Sequence, residues 1–366
     1  MHRLKKGWRI VWTVLAIPVA LLYGIFILLR NWLYDKGWLR VHRLPCTVVS
    51  IGNLTLGGSG KTPFALYLLQ WLQERGIQAG YLSRGYGRST RGYAEVSLEK
   101  PNPARLYGDE PCLVKSRLPT IPVAVAENRV LGGQKLLQTY PSLQVIVLDD
   151  AFQHRRIYRD IDILIIDVQH SLWKDWLFPL GRLREPLRSY RRAHLLIFNR
   201  KTRATSHKTR RFRRPVLEFE YQTTKLIPAH PSLPPLSIEA LRNRNAISFC
   251  GIATPDSFHE ALIKAGVYVL VRYDFPDHYF FKERHLATIR RQFRRFQKRM
   301  RIQNLLLLTT EKDLVRIRDT EAFAQLQDLP LYAVQIAMVP VKEAEAQKVF
   351  HTLFANLLSH DYARSL

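Results

Sequence analysis

Gly57-Gly-Ser-Gly-Lys-Thr62 is the stretch whose residue types and spacing carry the most specific chemistry. Glycines let backbone N–H groups turn inward onto phosphate oxygens, a lysine at Lys61 reaches β- and γ-phosphates, and the Thr62 hydroxyl can ligate Mg²⁺. The nucleotide cradle is therefore expected over Thr55, Leu56, Gly57, Gly58, Ser59, Gly60, Lys61 and Thr62. The strict G-x-x-x-x-G-K-[ST] spacing fails at its first position, where Thr55 stands, and Gly57 and Gly58 add flexibility inside the loop. A glycine-rich turn before a helix is common for structural reasons alone, but Gly-Lys-Thr between a strand and a helix is not. The second signal is Val145-Ile-Val-Leu-Asp-Asp150, an apolar strand ending in carboxylates. Such a strand delivers an acid to the metal beside a phosphate loop, although Asp149 or Asp150 could equally cap the next turn. In Gly108-Asp-Glu-Pro111, two acids precede a helical stretch. They favour its dipole or, near a γ-phosphate, orient or deprotonate an attacking hydroxyl. In Phe275-Pro-Asp-His-Tyr279, Asp277 beside His278 reads as a dyad or as a turn.

These residues need a scaffold, and the hydrophobic pattern supplies one. Residues 47–53, 78–83, 121–126, 144–150, 163–167 and 194–199 read as buried strands, with helices over 62–75 and 128–140. Short apolar runs separated by helical patterns imply βαβ units and a mainly parallel sheet covered on both faces. Pro228 to Pro235 holds four prolines in eight residues and reads as a boundary. The alternation then resumes, with strands over 246–252, 267–273, 305–310 and 331–336 and helices over 255–265, 282–301 and 342–358. The expected class is α/β, in three parts: 1–43, an N-terminal membrane-associated helix; 44–227, the nucleotide-binding core; and 228–366, a smaller α/β domain bringing the Asp277-His278 loop.

Charge and hydropathy describe the surroundings of such a site. The 366 residues carry 56 Lys plus Arg against 30 Asp plus Glu, a net +26 that calls for an anionic neighbour. Three scattered cysteines with no CxxC pair exclude a disulfide framework or a zinc knuckle. Ile10 to Leu29 runs twenty residues without a charge, long enough to cross a hydrocarbon core. Arg3, Lys5, Lys6 and Arg9 precede it, Arg30 to Tyr34 follow, and no A-x-A cleavage site is present, so a membrane anchor is expected, spanning or lying flat. Thirteen Lys or Arg against the single Glu185 lie between Arg182 and Arg214. From Ile289 to Arg301 an amphipathic helix places basic residues around an apolar stripe of Ile289, Phe293, Phe296 and Met300. An anionic membrane surface accounts for both the anchor and the clusters, whereas a nucleic-acid-binding module leaves the phosphate loop unexplained. A soluble ATPase or GTPase shares the loop but has no need of the Asp277-His278 segment.

Taken together and in order, the motifs resemble the tetraacyldisaccharide 4′-kinase family of lipid A biosynthesis. The matching stretches are Ser50 to Pro63, Leu82-Ser-Arg-Gly-Tyr86, Gly108-Asp-Glu-Pro111, Leu148 to Arg155, Leu183-Arg-Glu-Pro186, Phe249-Cys-Gly-Ile-Ala253, Phe275-Pro-Asp-His278 and Thr309-Thr-Glu-Lys-Asp313. The resemblance implies a P-loop NTPase-like α/β kinase core, a smaller α/β domain and a membrane-bound N-terminal helix. It implies transfer of the γ-phosphoryl group of ATP, with Mg²⁺, to the 4′-hydroxyl of a tetraacyldisaccharide 1-phosphate at the cytoplasmic face of the inner membrane. The lipid and the membrane surface are the partners expected, and nucleic acid is not. By the same resemblance, Lys61 and Thr62 hold phosphates and metal, Asp109 is the base for the hydroxyl, and His278 is paired with it, with Asp277 alongside. Glu110, Asp149 and Asp150 surround metal and nucleotide, and Arg129, Gln153, His154 and Arg184 contact phosphate or substrate. Two positions depart from the family: Ala151 replaces a glycine, at a cost if that position needs φ > 0, and Tyr279 replaces a second histidine.

Overall fold

The computed structural model describes residues 2–168, 175–200, 212–299, 302 and 304–362. Its elements are helix α1 (His2–Asp35), strand β1 (Thr47–Gly52), α2 (Lys61–Gln73), β2 (Ala79–Ser83), β3 (Ala94–Glu95), α3 (Pro103–Tyr107), α4 (Asp109–Arg117), β4 (Val123–Val125), α5 (Arg129–Thr139), β5 (Val145–Asp149), β6 (Ile161–Asp167) and β7 (Leu195–Arg200). They continue with β8 (Val216–Pro228), β9 (Asn245–Cys250), α6 (Pro255–Lys264), β10 (Tyr268–Asp274), α7 (Glu283–Arg299), β11 (Leu305–Thr310), α8 (Glu311–Ile317), β12 (Leu331–Pro340) and α9 (Glu343–Tyr362). The expected strands and helices are present with small shifts at their ends. The long strand β8 and the short helices α3 and α8 were not expected. Asp109 and Glu110 lie inside the first turn of α4 rather than ahead of it. Residues 201–211 of the first basic cluster, and Met300 and Arg301 of the second, lie outside the described residues, as do the side chains of Arg3, Lys5, Lys6 and Arg9.

Packing groups the chain into two units, one of Met1–Lys61, Gln144–Phe219 and Pro340–Leu366, the other of Thr62–Leu143 and Glu220–Val339. The chain passes between the units after Lys61, Leu143, Phe219 and Val339, so α2, β8 and β12 each run across a changeover. The prolines after residue 228 follow the end of a strand.

In the first unit, β7, β6, β1 and β5 lie side by side, all parallel. Every residue of β1, β5 and β6 is buried, which is why these strands read as continuous apolar runs instead of alternating. The core beneath them gathers Leu54, Phe152, Leu164, Ile166, Leu183, Tyr190 and Phe198. Gly52 is required where β1 ends, because a Cβ there would lie 2.5 Å from the Cβ of Phe152. Helix α1 buries a stripe of Ala16, Ala20, Ile27 and Asn31, while Leu15, Leu21, Leu22, Ile25, Phe26 and Leu29 stand exposed. Its Leu15–Asp35 stretch, with mean hydropathy 1.7, is long and apolar enough to cross a membrane.

In the second unit, β10, β9, β11 and β12 form one parallel set. Beside this, β4 pairs parallel with β2 and antiparallel with β3. Leu286, Ile289 and Phe293 of α7 enter the core with Phe249, Leu307 and Leu331. Arg284, Arg291 and Arg295 of α7 are exposed, and Arg290 and Arg294 share Asp328 at 2.8 and 2.6 Å.

Candidate active site

The first group of candidate residues surrounds the turn from β1 into α2. Gly57 (φ 105°) and Gly60 (φ 93°) hold backbone conformations that only glycine adopts without strain. The chain then enters α2 at Lys61, with Pro63 in the first turn, where its missing N–H has no helical acceptor to serve. Lys61 Nζ donates to Asn53 Oδ1 at 3.4 Å and lies 3.5 Å from Asp150 Oδ1. Arg184 Nη1 donates to both oxygens of Asp150, at 2.9 and 3.0 Å. Burial raises the Asp150 pKa, but Lys61 and Arg184 outweigh it and hold the carboxyl below its ordinary range. Asp149 is buried and accepts the backbone N–H of Asp150 at 3.0 Å. The left-handed residue of this turn is Asp150 itself (φ 48°), not Ala151. Replacing the family's glycine by Ala151 therefore forces no backbone strain here.

Main-chain bonds close the cradle. Leu56 N donates to Arg182 O at 2.8 Å, and Arg184 N donates to Leu54 O at 2.7 Å. Thr55 bridges to Leu183, Gln153 Nε2 donates to Asn53 O at 2.9 Å, and Asn199 Nδ2 donates to Ser59 O at 2.8 Å. Ser59 Oγ and Asn53 Nδ2 are buried with no hydrogen-bond partner among the described residues. Thr62 is buried in the first turn of α2. His154, whose backbone N donates to Ala151 O at 2.8 Å, continues the turn after β5.

The second group is built in the other unit on the N-terminus of α4, where Gly108 (φ 95°) turns the chain so that Asp109 opens the helix. His278 Nδ1 lies 3.1 Å from Asp109 Oδ2, which joins residues 169 positions apart. His278 is itself left-handed (φ 56°), and its backbone N donates to Asp277 Oδ1 at 3.0 Å. Asp277 thus shapes the loop, with its Oδ2 3.7 Å from His278 Nε2. The ring of Tyr86 lies 5.1 Å from that of His278, between centroids. Tyr279 turns away to stack on Phe275 and to meet His285 through its hydroxyl at 3.2 Å.

Helix α8 completes this group. Thr310 caps it by accepting from Asp313 N at 3.1 Å. Arg316 Nε donates to Asp109 Oδ2 at 2.8 Å, and Nη2 bonds the same oxygen. Lys312 Nζ lies 3.5 Å from that oxygen and donates to Glu110 Oε1 at 3.1 Å. Burial works to raise the Asp109 pKa, but Lys312, the His278 hydrogen bond and Arg316 overcome it and hold the carboxyl well below the usual range. Burial, with help from Asp109, pushes the Cys112 thiol up to about 12, so it stays protonated and inert.

Of the residues expected from the sequence, Lys61, Asp150, Gln153 and Arg184 come together in the first unit, and Asp109, Glu110, Asp277 and His278 in the second. Glu110 is placed against Lys312. Arg129 is buried at the start of α5, donating to Ala126 O at 2.9 Å. Lys312 and Arg316 were given no role from the sequence. Their signal is the spacing of Lys312, Asp313 and Arg316, which shares one face of any helix that Thr310 starts.

Compared with known proteins, the chain matches over residues 12–355 the family described as tetraacyldisaccharide-1-P 4′-kinase. A tetraacyldisaccharide 4′-kinase of Chlorobaculum parvum is 39% identical over 321 residues, covering 84% of this chain and 86% of its own. One from Polaromonas sp. is 35% identical over 363 residues, covering 97% and 96%. Among solved structures, LpxK from Aquifex aeolicus, an "apo" form in complex with ATP, aligns with a TM-score of 0.70 at 31% identity, covering 92% of this chain and 98% of its own.

Proposed function

Because the chain belongs to the tetraacyldisaccharide-1-P 4′-kinase family, we propose that it moves the γ-phosphoryl group of ATP to the 4′-hydroxyl of a tetraacyldisaccharide 1-phosphate, a step of lipid A biosynthesis that yields lipid IVA. The observation that carries the residue assignment is the Asp109–His278 contact, which the fold assembles from positions far apart in sequence. Phosphoryl transfer needs little covalent help and much positioning and charge neutralisation. The glycine cradle and Lys61 bind and neutralise the phosphates, and Ser59 Oγ and Asn53 Nδ2, without a hydrogen-bond partner among the described residues, offer further polar atoms there. Arg184 holds Asp150 in place beside Lys61. Thr62, Asp149 and Asp150 would hold Mg²⁺, since hydroxyl and carboxylate oxygens are the donors it prefers. Bound there, the ion would offset charge on the β- and γ-phosphates. The Asp109–His278 dyad accepts the proton of the attacking hydroxyl, and the less buried Gln153, His154 and Asp277 contact substrate, whereas Arg129 is too buried to reach it.

The lipid acceptor sets the location. Exposing four acyl chains to water costs roughly 0.8 kcal/mol per CH₂, so the enzyme goes to the membrane. Helix α1 packs its Ala16–Asn31 stripe on protein and bares a broad apolar face, which suits insertion of that face at the cytoplasmic side of the inner membrane better than a span surrounded by lipid. Basic residues near the anchor favour anionic headgroups.

Transfer of labelled γ-phosphate from Mg·ATP to tetraacyldisaccharide 1-phosphate in detergent micelles tests the reading. Wild type should transfer, and Lys61→Ala, Asp109→Ala and His278→Ala should each lose at least about 100-fold. No transfer by wild type that still binds ATP would mean a different acceptor.

A further inference from the structure

We infer that Arg316 is a positioning residue of the transfer reaction: it fixes the Asp109 carboxylate so that His278 presents a proton-accepting Nε2. The inference rests on the kinase reading above and adds a residue to it. The Arg316 side chain is 2% exposed, too buried to meet a substrate, so it acts through its neighbours. Its planar fork is used on both sides. Nε and Nη2 donate to Asp109 Oδ2, while Nη1 donates to Gly251 O at 2.6 Å and Asp313 Oδ1 at 2.7 Å. Asp313 is locked in turn by Gly251 N at 3.0 Å and Thr310 Oγ1 at 2.6 Å. The guanidinium therefore cannot rotate without breaking several bonds.

This fixes the proton order of the dyad. Asp109 Oδ1 accepts from Glu110 N at 2.9 Å, and Oδ2 faces Arg316, Lys312 and His278. A carboxylate surrounded by donors accepts and does not donate. The hydrogen of the 3.1 Å contact therefore belongs to His278 Nδ1, and the lone pair lies on Nε2. The other charged groups facing the dyad are Glu110, Asp277 and Asp313. Without Arg316 the carboxylate loses the fork that fixes it and is free to swing, so His278 Nδ1 loses its fixed acceptor.

The test compares kcat and the KM for ATP in lipid-dependent phosphoryl transfer by wild type, Arg316→Gln and Arg316→Lys, with thermal unfolding of each. Arg316→Gln should lower kcat about 100-fold with the KM for ATP nearly unchanged. Arg316→Lys keeps the charge but not the fork, so it should also lose kcat while KM stays in place. A folded Arg316→Gln with the kcat of wild type, or one whose loss appears in KM rather than kcat, would overturn the inference. Should Arg316→Gln fail to fold, Arg316→Lys decides: a kcat equal to that of wild type overturns the inference, and a reduced kcat with an unchanged KM supports it. Absence of transfer by wild type would instead strike the kinase reading.

Discussion

Single side chains in this protein are set by their neighbours' charge more than by their own type. Asp109, alone a weak carboxylic acid, is held ionised by Lys312, His278 and Arg316. Its folded-state pKa is depressed, so its contribution to stability is complete above about pH 4, the unfolded value, and is lost as pH falls toward the folded one. The thermal midpoint of wild type should fall on acidification below about pH 4 more steeply than that of Asp109→Asn; equal slopes would place the acid sensitivity elsewhere. Gly251 illustrates a different constraint. A Cβ there would lie 3.1 Å from the Tyr279 Cβ, 3.3 Å from Pro276 O and 3.3 Å from Asp313 Oδ1. Gly251→Ala should therefore cost about 1–3 kcal/mol of stability by overpacking, read by denaturant unfolding. It should also depress transfer, because the displaced groups flank the His278 loop.

At the scale of elements, Lys61, Thr62, Asp109, Glu110, Arg129, Lys312 and Arg316 sit on helices at or within two turns of the point where a strand or loop gives way to the helix, while Asp150, Arg184 and His278 sit on loops. Gly60 leads into α2, Gly108 into α4, Asn128 into α5 and Thr310 into α8. Helix starts expose unpaired N–H groups and a partial positive charge, which suits phosphates and carboxylates. Asn128 caps α5 by accepting from Val130 N at 3.1 Å and Leu131 N at 3.3 Å. Asn128→Ala should lower stability by about 1 kcal/mol, without changing the pH profile of transfer. Helix α1 makes a separate prediction. Leu22 and Phe26 lie on its bare face, at 68% and 61% exposure, so Leu22→Asp with Phe26→Asp should reduce sedimentation with vesicles while ATP binding persists. Unchanged sedimentation would show that α1 is not the anchor.

At the scale of the whole molecule, the net charge of +26 predicts that binding to vesicles containing acidic lipid weakens as salt rises through the range where the Debye length shrinks to about 10 Å and below. Vesicles of neutral lipid should show little of that dependence. The α/β class, the strands and turns that carry the chemistry-bearing motifs and the kinase family were legible in the residues themselves, because buried parallel strands and glycine-rich turns are local consequences of side-chain volume and φ freedom. So was the long apolar helix near the N-terminus. Arg316 was not legible, because its function lies in bonds to Asp109 and Gly251, 207 and 65 positions away. The sequence determined which candidate residues were present for nucleotide binding and proton transfer. Only the tertiary structure decided that Asp277 shapes its loop while His278 turns to Asp109, that Asp150 rather than Ala151 carries the left-handed turn, and which face of α1 stays bare. Each of those outcomes depends on contacts between segments that one-dimensional spacing does not relate.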